Sequence, residues 1–481
     1  MSKAKLFIEN FLVYGLGGII SKIIPFIMVP IVTRLMPGTL YFGLNDLIST
    51  ITSFASAFAI MGMYDAMFRM FFEKVDDSYK KSVCSTALMF VCCMATIVFL
   101  LLVMFREEFA RLFFEDTQYA YLVYFSALAT LVSATNSIVS APTRMQNQRR
   151  IFLITNTVGP ILSFSIAIPL LLHGWYVTAL PLAAIFSAVI IDVTFFLLNR
   201  QWFSFRAFDI SMLKQLLALG VPVMPAFLVY WIFNSCDRVM IAQFLGVGEV
   251  GIYAVGAKLG HASQLIYTAF AGGWQYFAFA TMREDNQVES NSLIHEYLGA
   301  ISFLAGMWMC GLVRPLFAWL FPPDYLSGYI VAPYLFLAPL LLMLYQVAGN
   351  QFLVIKKTWP STLILFCGAL ANVTLNYLLI PRFGIEGAAI ATLLGYMVSD
   401  AVCMIVLCRM KLMVVSARFF TIIGITVAYF SIWRLWLYEA SLLSLGLALI
   451  VSFAFVLLYK QELTMIAGHM RTYIGAMRKS A

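Results

Sequence analysis

Lys22, Asp46, the adjacent Asp237 and Arg238, and Lys258 lie inside stretches otherwise built of apolar side chains. An ionisable group at bilayer depth costs roughly 2.5–3.5 kcal/mol on insertion scales, so such groups face a hydrated cavity or one another. Three of these residues are cations, which points to a cationic cavity able to hold an anion. Asp46 and Asp237 are the candidates for coupling to an ion. Each has a plainer reading too. Asp237 and Arg238 could satisfy neighbours or a helix end near the membrane interface, and Lys258, flanked by Gly256 and Gly260, could snorkel along its helix. Asp192 and Asp400 fit helix capping or lobe packing better than a proton relay. Tyr230, Trp231, Tyr253, Tyr267, Trp274 and Tyr276 would stack on sugar rings if they face a lumen, and are otherwise packing or interfacial aromatics.

No enzymatic constellation accompanies these residues. There is no Gly-x-x-x-x-Gly-Lys-Ser/Thr phosphate loop, no His-Glu-x-x-His and no Gly-x-Ser-x-Gly. Asp76 and Asp77, flanked by Lys74 and Lys80, read as a solvated turn. The eight cysteines and four histidines show no metal-ligand spacing, so no metal and no cofactor is expected. Transport without ATP hydrolysis is favoured over catalysis.

The elements that position these groups follow from composition. Of 481 residues, 62% are hydrophobic and 11% charged, against roughly 25% charged in soluble domains. A water-soluble enzyme is excluded. Unbroken apolar runs such as Leu88 to Phe105 exclude a β-barrel, whose strands alternate. The chain is expected to be an all-α integral membrane protein. About 14 transmembrane helices fall near 11–33, 40–62, 82–105, 120–142, 152–173, 176–198, 215–236, 250–280, 296–320, 329–352, 361–380, 385–408, 417–437 and 441–459. Lys3 and Lys5 precede a run longer than a signal-peptide core, so the first helix is expected to stay.

With the N-terminus cytoplasmic, this parse puts 22 Lys and Arg on the cytoplasmic side and 6 outside. That bias supports the orientation, with both termini cytoplasmic. It also accounts for the net charge of +8 without nucleic acid as a partner. Connections are short, leaving no room for a soluble catalytic domain. The tail carries Leu463, Ile466, Met470, Ile474 and Met477 at helical spacing opposite Arg471, Arg478 and Lys479. It reads as a surface-lying helix or a disordered basic tail.

A weak repeat at a separation near 208 residues relates Gly43 to Gly251, Arg149-Arg150 to Lys356-Lys357, and Asp192 to Asp400. It divides the chain into a six-helix lobe (1–205), a second six-helix lobe (206–412), two additional helices (413–460) and a basic cytoplasmic tail (461–481). Two lobes around a central cavity are a transporter architecture. Pro25, Pro30, Pro222 and Pro225 fall in the first helix of each lobe and favour bending there.

The run from Asn234 to Leu259, N-S-C-D-R-V-M-I-A-Q-F-L-G-V-G-E-V-G-I-Y-A-V-G-A-K-L, resembles the seventh-to-eighth helix hairpin of the polysaccharide transporter family. These are the Wzx-type flippases of the multidrug/oligosaccharidyl-lipid/polysaccharide (MOP) superfamily. Asp237-Arg238, Gly246 and Gly251-Ile252-Tyr253 match in order and spacing. The run Gly62 to Glu73 and the run Gly384 to Thr392 agree as well, so the resemblance spans both lobes. Tyr276 departs from it, standing where many relatives carry proline. The resemblance implies a flippase in the bacterial inner membrane, moving undecaprenyl-diphosphate-linked oligosaccharide outward for O-antigen, capsule or exopolysaccharide synthesis. It also implies a coupling ion, proton or sodium, and a polysaccharide polymerase and chain-length regulator as partners. Lys22, Arg238 and Lys258 become candidate diphosphate contacts, and Tyr253 and Trp274 candidate sugar contacts. An ion-coupled multidrug exporter of the same superfamily would want a less cationic cavity with acidic residues for cationic drugs. A membrane polysaccharide polymerase or ligase would want a larger outer loop.

Overall fold

With no water in the hydrocarbon layer to bond amides and carbonyls, a long apolar run closes its hydrogen bonds internally, as a helix. The computed structural model describes residues 23–268, 270, 274, 278, 281–282, 284–357, 359–462 and 464, and among these it contains helices and turns but no strand. Lys22, Tyr276 and the amphipathic tail from Leu463, except Thr464, lie outside the described residues.

The helices in chain order are α1 (Ile23–Leu35), α2 (Thr39–Ile60), α3 (Met63–Phe71), α4 (Asp77–Met104), α5 (Arg106–Phe114) and α6 (Leu122–Met145). They continue with α7 (Arg149–Leu172), α8 (Ala179–Asn199), α9 (Ile210–Leu245), α10 (Val247–Gly260) and α11 (Gln287–Leu320). Last come α12 (Ala332–Val354), α13 (Trp359–Arg409), α14 (Ala417–Leu437) and α15 (Ser441–Leu458). Among the described residues ten helices are long and apolar enough to span a bilayer, or eleven if α2 and α3, bent by 46°, act as one. Two of the fourteen expected spans, near 11–33 and 250–280, run into residues outside the description. The expected spans at 361–380 and 385–408 follow one another within α13, whose 51 residues are over twice the roughly 20 a crossing needs. A non-helical Gly384, at φ 61°, divides it.

Starts and bends have local causes. Asp76 caps α4, accepting from the amides of Ser78 and Tyr79. These bonds, led by the Ser78 hydroxyl, hold its carboxyl below its ordinary pKa. Asp209 caps α9 and Ser416 caps α14 in the same way. Where Pro222 and Pro225 fall within α9, it tightens into a 3-10 turn at Val221–Val223, and a π-helical turn follows at Ile232–Cys236. Outward faces stay apolar, as with Leu442, Leu449, Ile450 and Phe453 of α15, the surface a lipid-facing helix needs.

Exposed Ser327, in the 3-10 turn Pro323–Ile330, and exposed Gln201, in the turn Arg200–Trp202, lie at ends that the charge count assigns to opposite sides. In intact cells an impermeant thiol reagent is expected to label Ser327→Cys and to spare Gln201→Cys. Equal labelling of both would overturn the orientation.

Candidate functional site

α2 is apolar on one face, where Leu44, Leu47, Ile51 and Ala55 are buried. On another face it repeats Asn45, Ser49, Thr52, Ser53 and Ser56, spacings that fall along one stripe of a helix. This stripe lines a cavity of about 600 Å³, faced from α9 by Phe227, Tyr230, Trp231, Asn234 and Ser235 and completed by residues of α6 and α8. Ser49, Thr52 and Ser53 donate their hydroxyl protons to carbonyls of their own helix. Their remaining lone pairs are left to accept from whatever enters. Trp231 crosses from α9 to α2, donating Nε1 to Ser53 Oγ at 3.2 Å and packing on Phe54 with ring centroids 4.8 Å apart.

Two glycine contacts pinch α2 on either side of the cavity. At one end a Cβ on Gly43 would stand 2.1 Å from the Val247 carbonyl oxygen, and one on Gly251 2.0 Å from that of Thr39. At the other end a Cβ on Gly62 would stand 2.2 Å from the Gly220 carbonyl oxygen. Only glycine permits such backbone approaches. Gly43 and Gly251, related by the sequence repeat, thus touch each other. More bonds tie the first end: Arg34 Nη2 donates to the Trp319 carbonyl at 2.8 Å, and Gln243 Nε2 to the Leu112 carbonyl at 3.0 Å.

Beside that contact lies a buried charge network. Arg238 donates Nε to Asp46 Oδ2 at 2.7 Å and Nη1 to Asp237 Oδ1 at 3.0 Å. The Tyr253 hydroxyl donates to Asp237 Oδ2, and the guanidinium carbon lies 5.6 Å from the Tyr253 ring centroid. All four side chains are buried. The π-turn before Asp237 places the Asn234 carbonyl where Arg238 Nη1 also reaches it. From Thr392 a polar chain runs on through Asn372, whose Nδ2 donates to Thr392 Oγ1 at 3.1 Å, to Asn376, whose Nδ2 donates to Asn372 Oδ1 at 3.2 Å.

The structure therefore gathers Asp46, Asp237, Arg238 and Tyr253, four of the residues singled out from sequence, into one site. Arg238 is committed to two carboxylates in this conformation, and Tyr253 is fully enclosed instead of facing the cavity. Lys258 stays outside the network. It is exposed, seven residues along α10 from Gly251 and so on the same helical face. Trp274 is buried and lines a second cavity of about 410 Å³ with Tyr230, Phe270, Tyr345, Gln346 and Asn350. Lys22 lies outside the described residues. The α2 stripe went unremarked in the sequence, although its hydroxyls and amide at helical spacing in an apolar run were a visible signal. Among the described residues no group of three His, Cys, Asp or Glu could hold a metal.

Residues 7–274 match the family model described as polysaccharide biosynthesis protein. Among solved structures, the chain resembles the lipid II flippase MurJ in an inward closed conformation, at a TM-score of 0.74 and 13% identity, covering 94% of this chain and 100% of that one. It resembles an inward-facing multidrug resistance MATE family transporter of the MOP superfamily at a TM-score of 0.65 and 16% identity, over 80% of this chain and 94% of the other. A curated relative, an uncharacterized membrane protein of Methanocaldococcus jannaschii, is 28% identical over 196 residues, which is 40% of this chain and 38% of that protein. Sharing its fold with these two transporters and matching the family model over more than half its length, the chain belongs to the polysaccharide biosynthesis protein family.

Proposed function

We propose that this protein flips an undecaprenyl-diphosphate-linked oligosaccharide from the inner to the outer leaflet of the bacterial inner membrane by alternating access between two lobes, residues 1–205 and 206–412. The observation that carries this is the cavity between the two glycine contacts. Its wall of Asn45, Ser49, Thr52, Ser53, Ser56 and Asn234, with Tyr230 and Trp231, offers acceptors and aromatic faces to sugar hydroxyls and rings. Among the described residues that line it, none is charged, which suits glycan better than a cationic drug. On the orientation above, the Gly43–Gly251 contact with the Asp46–Arg238 pair closes the outer side and the Gly62–Gly220 contact the inner side. Opening outward separates Arg238 from Asp46, and Asp46 and Asp237 are then the carboxylates able to take a coupling ion. A polymerase and a chain-length regulator would consume the cargo outside.

Disruption of the gene tests this reading. Surface glycan should be lost while its lipid-linked precursor accumulates. Normal surface glycan together with raised drug sensitivity would favour an exporter instead.

Lys258 is proposed to attract the diphosphate. An exposed ammonium at this depth is costly unless hydrated or paired, and a loaded cavity supplies phosphate charge. Lys258→Ala should lower glycan display, normalised to protein abundance, and Lys258→Arg should retain part of it, since charge matters more than shape at a diffuse anion site. Full display by the alanine variant would remove Lys258 from the site.

A further inference from the structure

α11 carries buried polar groups that the cavity does not use. Gln287, Asn291 and His295 recur every four residues, one stripe of the helix. At the start of the stripe Gln287 Nε2 donates to Gln351 Oε1 of α12 at 3.1 Å. At its deep end His295 Nε2 lies 3.5 Å from Asp400 Oδ1 of α13. Asn291 is 4% exposed, His295 1% and Asp400 5%. Among the described residues no hydrogen-bond partner is found for Gln351 Nε2, Asn291 Nδ2, His295 Nε2 or Asp400 Oδ1. Buried polar atoms are nearly always partnered by protein or ordered water. Orphans that follow one another from a helix start to a buried carboxylate are the groups that a file of water molecules satisfies.

We propose that His295 and Asp400 form a proton-binding pair, filled through the Gln287–Asn291–His295 stripe from the membrane face where α11 begins. The charge count assigns that face to the cytoplasm. One proton placed between the imidazole nitrogen and the carboxylate oxygen, donated by water and returned to it, turns the 3.5 Å gap into a charge-assisted hydrogen bond. A metal cation fits less well, because a hard cation needs six or more oxygen ligands, and among the described residues no third carboxylate or histidine joins the pair.

Among the described residues no other ion pair is found for His295 or Asp400. Cys403 on the same helix and Tyr345 of α12 are the pair's titratable neighbours, and the Tyr345 hydroxyl is bonded to Ser361. From α14 the Phe419 ring packs 5.2 Å from the imidazole. Glu296, next to His295, is engaged by Ser416, Tyr459 and Arg418. Asp400 also lines a groove of about 650 Å³ beneath α14, whose other charged lining residue, Arg434, is bonded to Glu386. Protonation of the pair thus sits where α11, α13 and α14 meet and can bias how they pack. Asp192, the repeat partner of Asp400, donates nothing equivalent: it accepts from Thr135 Oγ1 at 3.0 Å, and no histidine ion pair is found for it among the described residues.

The coupling role rests on the flippase reading, but the site can be tested without cargo. Full-length protein reconstituted in vesicles is compared by infrared difference spectroscopy between acid and alkaline buffer. The expected protonated-carboxyl signal disappears in Asp400→Asn, shifts its midpoint in His295→Gln and survives in Asp192→Asn. A signal unchanged by Asp400→Asn overturns the assignment. If that variant does not accumulate, an unmoved midpoint in His295→Gln overturns it equally. In cells, glycan export by Asp400→Asn, normalised to abundance, should lose its dependence on cytoplasmic pH, and export that keeps the wild-type dependence would overturn the coupling while leaving the flippase reading intact.

Discussion

Arg238→Gln is expected to destabilise the protein more than any other single substitution in the site. Arg238 alone, among the described residues, ion-pairs with both Asp46 and Asp237, and all three side chains are buried. Removing one partner from a buried ion pair costs about 3–5 kcal/mol, because the charges left behind stay out of water. Asp237 keeps the Tyr253 hydroxyl, which limits the loss on its side, while Asp46 loses its cation. Abundance in the membrane and the unfolding midpoint in detergent should both fall. Adding Asp46→Asn to Arg238→Gln should recover part of the loss, since the double variant buries one charge fewer, and the two effects should couple in a double-mutant cycle. Additive effects would mean that the contact between the two halves contributes little.

Gly251→Leu is the second large effect, and it acts on conformation more than on folding. The leucine Cβ would stand 2.0 Å from the Thr39 carbonyl oxygen, a backbone atom that cannot rotate away. α2 and α10 must therefore separate at this end, while α10 itself gains a better helix former. Overpacking costs typically about 2 kcal/mol, and a penalty of that size falling on one state shifts the balance of states roughly thirty-fold. Glycan export should collapse with abundance largely kept. Gly446→Leu, at a glycine with open space around it, should export normally and serves as the control. Equal loss in both would assign the defect to the membrane helices in general.

How much of this was legible in the sequence follows the range of each interaction. Apolar runs and the prolines in α9 act within a few residues, and the helices form and bend near where they direct. The caps Asp76 and Asp209 are just as local, yet the expected spans start near 82 and 215 while α4 and α9 begin at Asp77 and Ile210. The seventh span was expected to end near 236 and reaches Leu245, because the polar residues after Ser235 do not break the helix: its π-turn and the Asp46 pairing satisfy them. That pairing links residues 192 apart, and no local pattern could reveal it. Reading Asp237 and Arg238 as satisfying neighbours or a helix end reaches half of the geometry, the Arg238–Asp237 bond, and leaves out Asp46. The same applies to Tyr253, an aromatic with a hydroxyl, whose partner Asp237 lies across the hairpin and becomes visible only once α9 and α10 are packed. The 208-residue repeat named Gly43 and Gly251 as equivalent, and the fold adds that equivalent glycines meet each other.

Alternating access at the Gly43–Gly251 end can be tested by holding that end shut. A Cβ on Gly248 would lie 3.4 Å from Thr39 Oγ1, the place a cysteine Sγ would take at residue 39, close enough for a disulfide between the two positions. In cells producing Thr39→Cys with Gly248→Cys, oxidant should form the cross-link and stop surface-glycan export, reductant should restore it, and neither single-cysteine variant should respond. Undiminished export by protein shown to be fully cross-linked would contradict the opening of this contact during transport.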